Sequence, residues 1–242
     1  MLGNISSISK QNKRNYQEDR YFVINNNKGT FVCVFDGHGG SGVSEFCYNN
    51  VWKILQTIKL IDPKEILVEL VKELDFQTQQ MNEGSTLSIA LINDNPLRVT
   101  IAILGDSPVV VYTKEGNTNI GPEHNVRSNS KEKAAIESRG GIYEKGYIYT
   151  DKGTCGLQLS RALGDFKLDS ILSRNPDIYT IENPQWVLVA SDGIFDAGHK
   201  GNEKIFEEIK ELAKNNSSAE EVSNWSDIRN PTDNTTAIVW SL

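Results

Sequence analysis

Apolar and polar positions recur along the chain with two periods. Seven short runs rich in branched and aromatic side chains predict β-strands, at residues 20–24, 31–35, 86–92, 99–104, 109–113, 186–190 and 236–240. Apolar side chains at every third or fourth position predict helices, at residues 42–58, 62–81, 131–138 and 202–214. A further helix is predicted to begin at the capping-box pair Ser218-x-x-Glu221.

Local signals support two of these helix boundaries. The segment Asp62-Pro63-Lys64-Glu65 combines an N-cap acid, a proline at the first helical position and an acid at the third. The pair Gly140-Gly141 marks the end of the helix at 131–138.

The elements come in groups: strands, two helices, more strands, then two helices and a last strand. This order is neither a regular β-α-β alternation nor an all-β chain. It predicts an α+β fold, in which a sandwich of mostly antiparallel sheets is covered by helices. A length of 242 residues favours a single domain, residues 1–242.

Composition narrows the range of partners. The chain has 25 basic and 32 acidic residues, a net charge of -7 and no long run of Lys and Arg, so nucleic acid is not expected. The sequence contains no secretory leader, no bilayer-spanning apolar stretch and no lipidation signal, so no membrane partner is expected. We expect a monomer in the cytoplasm, or also in the nucleus if the source is eukaryotic. Cys33, Cys47 and Cys155 form no Cys-x-x-Cys pair and are interpreted as core thiols.

Acidic residues lie at the ends of predicted strands. Asp36, Asp106 and Asp192 each follow an apolar run, whereas Asp233 comes just before the last one. An antiparallel last strand would bring Asp233 to the same edge as the other three. A single aspartate after a strand is usually a turn residue, but four of them can converge on one site.

Glycine adjoins three of these acids, as Asp36-Gly37, Gly105-Asp106 and Asp192-Gly193. A residue without a Cβ lets the backbone approach closely and allows a peptide carbonyl to face an ion. Carboxylates brought together repel each other, and a divalent cation offsets that repulsion. Oxygen ligands favour Mg²⁺ or Mn²⁺ over zinc, and the spacing of an EF-hand calcium loop is absent.

A charged segment precedes the first predicted strand. It contains Arg14, Glu18 and Asp19. On its own it would be interpreted as a solvated cluster. Together with the other acids, it offers a guanidinium for bidentate phosphate binding and a carboxylate for a second metal.

The motifs resemble those of the protein phosphatase 2C family, the metal-dependent protein phosphatases. They occur in the family's order from residue 14 to residue 236 and are Arg14-x-x-x-Glu18-Asp19, Asp36-Gly37-His38-Gly39-Gly40, Gly84-Ser85-Thr86, Gly105-Asp106-Ser107, Leu159-Ser160-Arg161-Ala162-Leu163-Gly164-Asp165, Ala190-Ser191-Asp192-Gly193-Ile194-Phe195-Asp196 and Asp233-Asn234-x-Thr236. Each motif alone is a weak signal, whereas their joint occurrence in order is specific. The resemblance implies a four-layer αββα fold, a central sandwich of two sheets flanked by pairs of antiparallel helices.

The resemblance also implies a pair of Mn²⁺ or Mg²⁺ ions. Asp36 would bridge the two ions, with Asp192 and Asp233 on one of them and Glu18 and the Gly37 carbonyl on the other.

Three further roles follow from the same resemblance. Asp19 would bind water on a metal, and Arg14 would bind the substrate phosphate. Asp106 and Asp196, together with Asp192, are similar to the family's optional site for a third metal.

The chemistry implied is hydrolysis of phosphoserine and phosphothreonine in phosphorylated protein substrates. Two cations about 3.5–4 Å apart can turn a shared water into hydroxide at neutral pH, so that no covalent enzyme intermediate is needed. The leaving alkoxide is strongly basic, and an acid that protonates it is worth roughly 10²–10⁴ in rate. His38, beside Asp36, is the candidate for that acid because an imidazole can exchange a proton near neutral pH.

Two alternatives remain open. Cys155 and Arg161 have the bare Cys-x₅-Arg spacing of cysteine phosphatases, but the residues between them make a poor phosphate cradle, so Cys155 is interpreted as structural. The second alternative is a catalytically silent regulator or scaffold with the same fold. Chelation by EDTA and turnover of a phosphothreonine peptide separate the three interpretations.

The chain departs from the family pattern at two places. Pro108 follows Gly105-Asp106-Ser107 where arginine is usual, and Glu123-His124-Asn125 replaces the common Asp-His-Lys. Both departures are expected to affect loops more than chemistry. The region 121–157 corresponds to the family's variable flap, which borders the active site.

Overall fold

The computed structural model describes residues 3–150, 156–195 and 203–242. Its centre is two five-stranded sheets in which every neighbouring pair of strands is antiparallel. The first sheet has the order β1 (Asn4–Lys10), β15 (Thr235–Ser241), β14 (Pro184–Ala190), β8 (Val109–Thr113) and β9 (Thr118–Ile120). The second has the order β13 (Asp177–Glu182), β7 (Leu97–Leu104), β6 (Leu87–Asp94), β3 (Gly29–Phe35) and β2 (Arg20–Asn26).

Two pairs of helices cover the outer faces of the sandwich. They are α1 (Gly42–Thr57) with α2 (Pro63–Thr78), and α4 (Glu203–Lys214) with α5 (Ala219–Asp227). The first pair packs on the second sheet, and the other pair packs on the first sheet. A third apolar cluster, which includes Val34, Ile101 and Ile238, fills the space between the sheets. The predicted αββα sandwich is therefore confirmed.

The helix boundaries follow from capping. The Asp62 carboxylate accepts the backbone N–H groups of Lys64 and Glu65, at 3.0 and 3.1 Å. Ser218 and Glu221 form the predicted reciprocal capping box at the start of α5. The helix predicted at 62–81 ends at Thr78 instead, where the chain turns and the Met81 N–H donates to the Thr78 carbonyl.

Buried leucines tie α2 to the sheet below it. Leu67, Leu70 and Leu74 lie on one face of the helix and are fully buried. Burying a leucine side chain is worth roughly 1.5–3 kcal/mol, so this face stabilises the packing much more than the helix's own propensity does. None of the described helices is both long and apolar enough to cross a membrane.

Short strands and a flap complete the described fold. β4 (Gly37–His38), β5 (Gly84–Ser85) and β12 (Leu163–Gly164) form a small sheet at the edge of the sandwich. The flap contains α3 (Ser130–Ser138) and the hairpin of β10 (Ile142–Glu144) and β11 (Tyr147–Tyr149). A small apolar cluster around Ile136 and Ile148 packs the flap against the segment near Ile171.

Candidate active site

The strand-end acids open into one cleft of about 240 Å³. Asp36 directly follows β3, Asp106 lies two residues past β7, and Asp192 lies two residues past β14. β15 runs antiparallel to β14, so Asp233, two residues before β15, reaches the same edge, as predicted. The cleft is also lined by residues from the predicted phosphate and acid groups: Arg14, Glu18, Gly37 and His38.

Asp36 is held at the centre of this edge by its backbone. Its N–H donates to the Thr86 hydroxyl at 3.1 Å, and its carbonyl accepts from the Thr86 N–H at 2.9 Å. Burial raises the pKa of the Asp36 carboxyl well above its usual range. Four nearby carboxylates raise that pKa further, those of Asp19, Asp192, Asp106 and Asp233. The site therefore concentrates negative charge around Asp36, which disfavours ionisation of its carboxyl in the absence of a cation.

Asp19 lies behind the cleft and is only 2% exposed. Its Oδ2 accepts the hydroxyls of Ser191 and Thr236, at 2.7 and 2.8 Å. Its Oδ1 is equally buried but has no hydrogen-bond partner. Burial raises the pKa of the Asp19 carboxyl, with the charge of Asp233 adding to the effect. A buried carboxylate oxygen without a donor fits a position beside a cation or its water.

Asn234 organises the loop that carries Arg14 and Glu18. Its side-chain oxygen accepts the Glu18 N–H at 2.9 Å. Its amide group donates to the carbonyls of Gln11 and Tyr16, at 2.9 and 3.0 Å. No role was predicted for Asn234, although it lies within the motif Asp233-Asn234-x-Thr236. The only sequence signal was its place next to Asp233.

The two charged ends of that loop have protein partners. Arg14 Nη2 contacts Asp233 Oδ2 at 2.6 Å, and Glu18 Oε1 accepts the Gly40 N–H at 2.7 Å. About half of the Arg14 side chain is exposed at the mouth of the cleft. Arg14 is thus placed where a phosphate could reach it, with a carboxylate as its partner.

His38 is paired with Asp165, which sequence reasoning had left without a role. His38 Nε2 lies 2.7 Å from Asp165 Oδ2, and the aspartate side chain is only 10% exposed. Asp165 has a positive φ of 50° and is fixed by its N–H to the Glu83 carbonyl at 2.9 Å. A Cβ on Gly84 would lie 2.1 Å from both atoms of the pair, so only glycine fits there.

The candidate ligands have the chemistry that hard cations prefer. All the candidate side-chain ligands offer oxygen, which suits Mg²⁺ or Mn²⁺. A Cβ on Gly37 would lie 2.7 Å from the Glu18 carbonyl oxygen, so the backbones of Gly37 and Glu18 approach closely and only glycine fits there. In the part of the chain that the structure describes, no group of three or more His, Cys, Asp and Glu side chains is close enough together to hold a metal ion as it stands. The residues fit the ions in chemistry and in placement at one edge.

Two predictions for the third metal site have different outcomes. Asp106 is buried beside the cleft, and its Oδ2 accepts the Asn125 side-chain amide at 2.9 Å. Asn125 belongs to the departure Glu123-His124-Asn125, so that departure touches a candidate ligand as well as a loop. Asp196 lies outside the described residues.

Arg161 has a structural role that conflicts with the cysteine phosphatase alternative. Its guanidinium forms a two-bond contact with Glu132, at 2.6 and 3.2 Å, and also contacts Asp177 at 3.2 Å. These contacts tie the flap helix α3 to β13 and leave the guanidinium only 18% exposed. Cys155 itself lies outside the described residues.

The fold, together with the acidic motifs in their order along the chain, defines a member of the Protein phosphatase 2C family. The profile of that family matches residues 4–226, and the chain belongs to it. Protein phosphatase 1L of Bos taurus is 28% identical over 220 residues, covering 80% of this chain and 60% of the relative. Probable protein phosphatase 2C 11 of Arabidopsis thaliana is 30% identical over 237 residues, covering 93% and 61%. The chain thus spans about three fifths of the length of these relatives.

Solved structures share the fold. Serine-threonine phosphatase 2C from Toxoplasma gondii superposes with a TM-score of 0.74 at 20% identity, covering 98% of this chain and 94% of that one. Serine/threonine phosphatase Stp1 from Staphylococcus aureus gives a TM-score of 0.73 at 18% identity, covering 100% and 96%. At these identities the likeness is one of fold.

Proposed function

We propose that the chain is a metal-dependent protein serine/threonine phosphatase, which hydrolyses phosphoserine and phosphothreonine in phosphorylated proteins by direct attack of water. The observation that carries the proposal is the cleft in which Asp36, Asp106, Asp192 and Asp233 meet beside Arg14. A cationic counter-charge offsets the repulsion among these carboxylates, and a phosphate monoester needs the same counter-charge for its reaction.

Asp36 would be shared by two Mn²⁺ or Mg²⁺ ions, with Glu18 and the Gly37 carbonyl on one side and Asp192 and Asp233 on the other. When bound, the ions supply charge neutralisation for phosphate oxygens and lower the pKa of water. Asp19, fixed by two hydroxyl donors, orients water through its free Oδ1. An additional ion would use Asp106 together with Asp192 and Asp196.

Arg14 would bind the phosphate at the mouth of the cleft. Its guanidinium has five N–H groups, and Asp233 uses one side of the fork. A phosphate oxygen can bind the other side. The ion pair with Asp233 would then orient the guanidinium towards the phosphate and leave N–H groups free to bind it. Arg14 and the cleft acids together favour a dianionic monoester over a neutral ligand.

His38 would donate the proton that the departing serine or threonine oxygen needs. Its Nε2 is taken by Asp165, so Nδ1 is the atom left to face the leaving group. Asp165 acts through His38 and does not line the cleft, which makes it a positioning residue. Holding the ring in one orientation matters because proton transfer requires a hydrogen-bond distance in the transition state.

The test is turnover of a phosphothreonine peptide with Mn²⁺, with and without EDTA. Asp36→Asn and Asp192→Asn are expected to lower kcat at least about a hundredfold at equal fold content, in line with losses of electrostatic stabilisation. Lys114→Glu, an exposed change far from the cleft, serves as the control variant. A folded chain that binds Mn²⁺ without turnover would favour a silent regulatory or scaffold role, and turnover that survives EDTA would refute metal dependence.

A further inference from the structure

A second cavity of about 700 Å³ lies at the opposite end of the second sheet from the cleft. In the strand register, Arg20 pairs with Phe35 at the cleft end, and Asn26 pairs with Gly29 at the far end. The cavity is bounded by the β2–β3 turn, the β6–β7 turn, the end of α1 and the α1–α2 connection. Seven-residue strands separate the two sites, a distance of roughly 20–25 Å at about 3.3 Å per residue.

The lining of this cavity has a charge opposite to that of the molecule. The chain has a net charge of -7, yet the lining contains three cations, Lys28, Lys59 and Arg98, and no acid. None of the three forms an ion pair with any residue that the structure describes. The neighbouring acid Asp62 is engaged in capping α2. The positive charge is therefore available to a partner.

Three of the cavity's polar side chains are fixed in place or contain an atom without a hydrogen-bond partner. Lys28 Nζ donates to the carbonyls of Ile58 and Leu60, at 2.8 and 3.2 Å, which holds the ammonium against the wall. Asn93 and Arg98 are cross-strand partners, and both Asn93 Oδ1 and Arg98 Nε are buried without a hydrogen bond. Asn93 and Arg98 therefore place two polar side chains at this wall, each with one unpaired atom.

The rim of the cavity adds apolar surface. Ile61 is 91% exposed and Leu60 is 38% exposed, on the connection between α1 and α2. Trp52 contributes a partly buried aromatic face to the lining. A small free anion would use the charges and ignore this rim, whereas an acidic peptide with an apolar side chain would use both.

We propose that this cavity, the distal basic cavity, docks a short acidic segment of a partner protein that also carries an apolar side chain. The strong negative charge of the chain itself disfavours a second copy as the occupant. Docking here does not require catalysis, because the cavity shares no lining residue with the cleft.

Direct binding tests the proposal. The probe is a fluorescein-labelled peptide of Glu and Asp residues around a central Leu-Phe pair, followed by fluorescence anisotropy with the full chain. Binding is expected to weaken as salt is raised. Lys59→Glu is expected to weaken it about fivefold or more, since a favourable charge pair becomes a repulsive one, and Ile61→Ser about threefold or more.

Matched controls separate docking from general charge effects. Lys131→Glu makes the same charge change at an exposed position of the flap, at the cleft end of the molecule, and is expected to leave Kd within about twofold. A peptide with Lys in place of its acids should not bind, and one with Ser in place of Leu-Phe should bind several-fold more weakly. Equal binding to wild type, Lys59→Glu and Ile61→Ser would overturn the proposal, as would a probe that inorganic phosphate displaces completely at low concentration.

A tethered substrate extends the test to function. A phosphothreonine peptide joined to the acidic segment through a flexible linker long enough to span the two sites should show a lower KM than the untethered peptide. Lys59→Glu should remove that gain and leave turnover of p-nitrophenyl phosphate unchanged. If the chain has no phosphatase activity, anisotropy still decides whether the acidic segment docks, so failure of the proposed function and failure of docking are distinguishable.

Discussion

At the residue scale, the contact between His38 and Asp165 is the clearest positioning device beside the cleft. An aspartate in a left-handed backbone conformation is uncommon, and here that conformation aims its carboxylate at the imidazole. The pair requires Gly84 beside it, because any side chain there would occupy the same space. Three residues from separate segments thus specify one orientation of one ring.

Replacing Asp165 by Asn should lower kcat more for a substrate with a strongly basic leaving group than for one with a weakly basic leaving group. We expect kcat on a phosphothreonine peptide to fall about tenfold to a hundredfold, since the alkoxide needs a well-placed acid, and kcat on p-nitrophenyl phosphate to change less than about threefold. His38→Gln should give the same pattern, and the double variant should lose little more. Equal losses on both substrates would instead indicate a purely structural role for Asp165.

His124 makes the stability of the fold sensitive to pH. Its ring is 1% exposed, its Nδ1 accepts the Gly105 N–H at 3.1 Å, and its Nε2 lies 3.0 Å from Asp177 Oδ2. Burial lowers the pKa of His124 below its ordinary value of 6.5, against the opposing effect of Asp177. Only the neutral imidazole suits this site, because Nδ1 must carry no proton in order to accept the Gly105 N–H.

The sign of the effect follows from the lowered pKa of His124. As pH falls below 6.5, the unfolded chain takes up a proton that the folded chain resists, so the free energy of unfolding decreases. Above pH 6.5 the neutral ring contributes its full stability. Urea unfolding of wild type and of His124→Gln at a series of pH values, from about 7.5 to about 5.5, checks this prediction. This interval spans the ordinary histidine pKa of about 6.5. A pH dependence that is the same in both proteins would contradict it.

At the element scale, the small sheet of β4, β5 and β12 brings His38, Gly84 and Gly164 together. β5 pairs with both β4 and β12, so Gly84 lies between the other two. This sheet is too short to be recognised from a hydrophobic pattern, since each of its strands has two residues. Its pairing depends on the rest of the fold.

Gly84→Ala tests that arrangement. The added Cβ would lie 2.1 Å from His38 Nε2 and Asp165 Oδ2, so the two side chains must separate. We expect a loss of about 1–3 kcal/mol in the free energy of unfolding, typical of overpacking, together with the leaving-group pattern of Asp165→Asn. Gly140→Ala, at a flap position where φ is +86° and an added Cβ meets nothing within 4 Å, is the control for backbone strain alone: it should lose stability but keep the substrate selectivity of wild type. Unchanged selectivity in Gly84→Ala would mean that the pair is not needed for catalysis.

The sequence predicts the central strands and helices because their apolar periods are strong. β1 and β13 were missed, since Asn4–Lys10 is rich in serine and Asp177–Glu182 mixes polar and apolar residues at half-buried positions. Both are edge strands, whose pairing comes from their neighbours and not from their own pattern. The acids can be predicted because they lie beside strand ends, whereas Asp165 and Asn234 act through partners far away in sequence.

At the scale of the whole molecule, the cleft makes stability depend on cations. Metal-free protein keeps Asp36 among four other carboxylates that raise its pKa. Saturation with Mn²⁺ at about a hundredfold over Kd should stabilise the fold by about 2.7 kcal/mol, which corresponds to roughly 5–10 °C in Tm for a chain of this size.

Differential scanning fluorimetry with EDTA and with Mn²⁺ measures that shift. Asp36→Asn is expected to lose most of the metal response, while its Tm in EDTA equals or exceeds that of wild type, because a repelled carboxylate has been removed. The same Mn²⁺ shift in wild type and variant would show that the ions bind elsewhere.

The pairing of β1 with β15 has a consequence for biosynthesis. Ser9 and Thr236, 227 positions apart, hydrogen-bond across these two strands, and Asn234 then fixes the loop that carries Arg14 and Glu18. During translation, the early loop has no partner until residue 234 has left the ribosome. The nascent protein therefore cannot assemble the cleft before then. A product truncated before residue 233 would lack the carboxylate of Asp233 and also Asn234, which fixes the loop that carries Arg14 and Glu18.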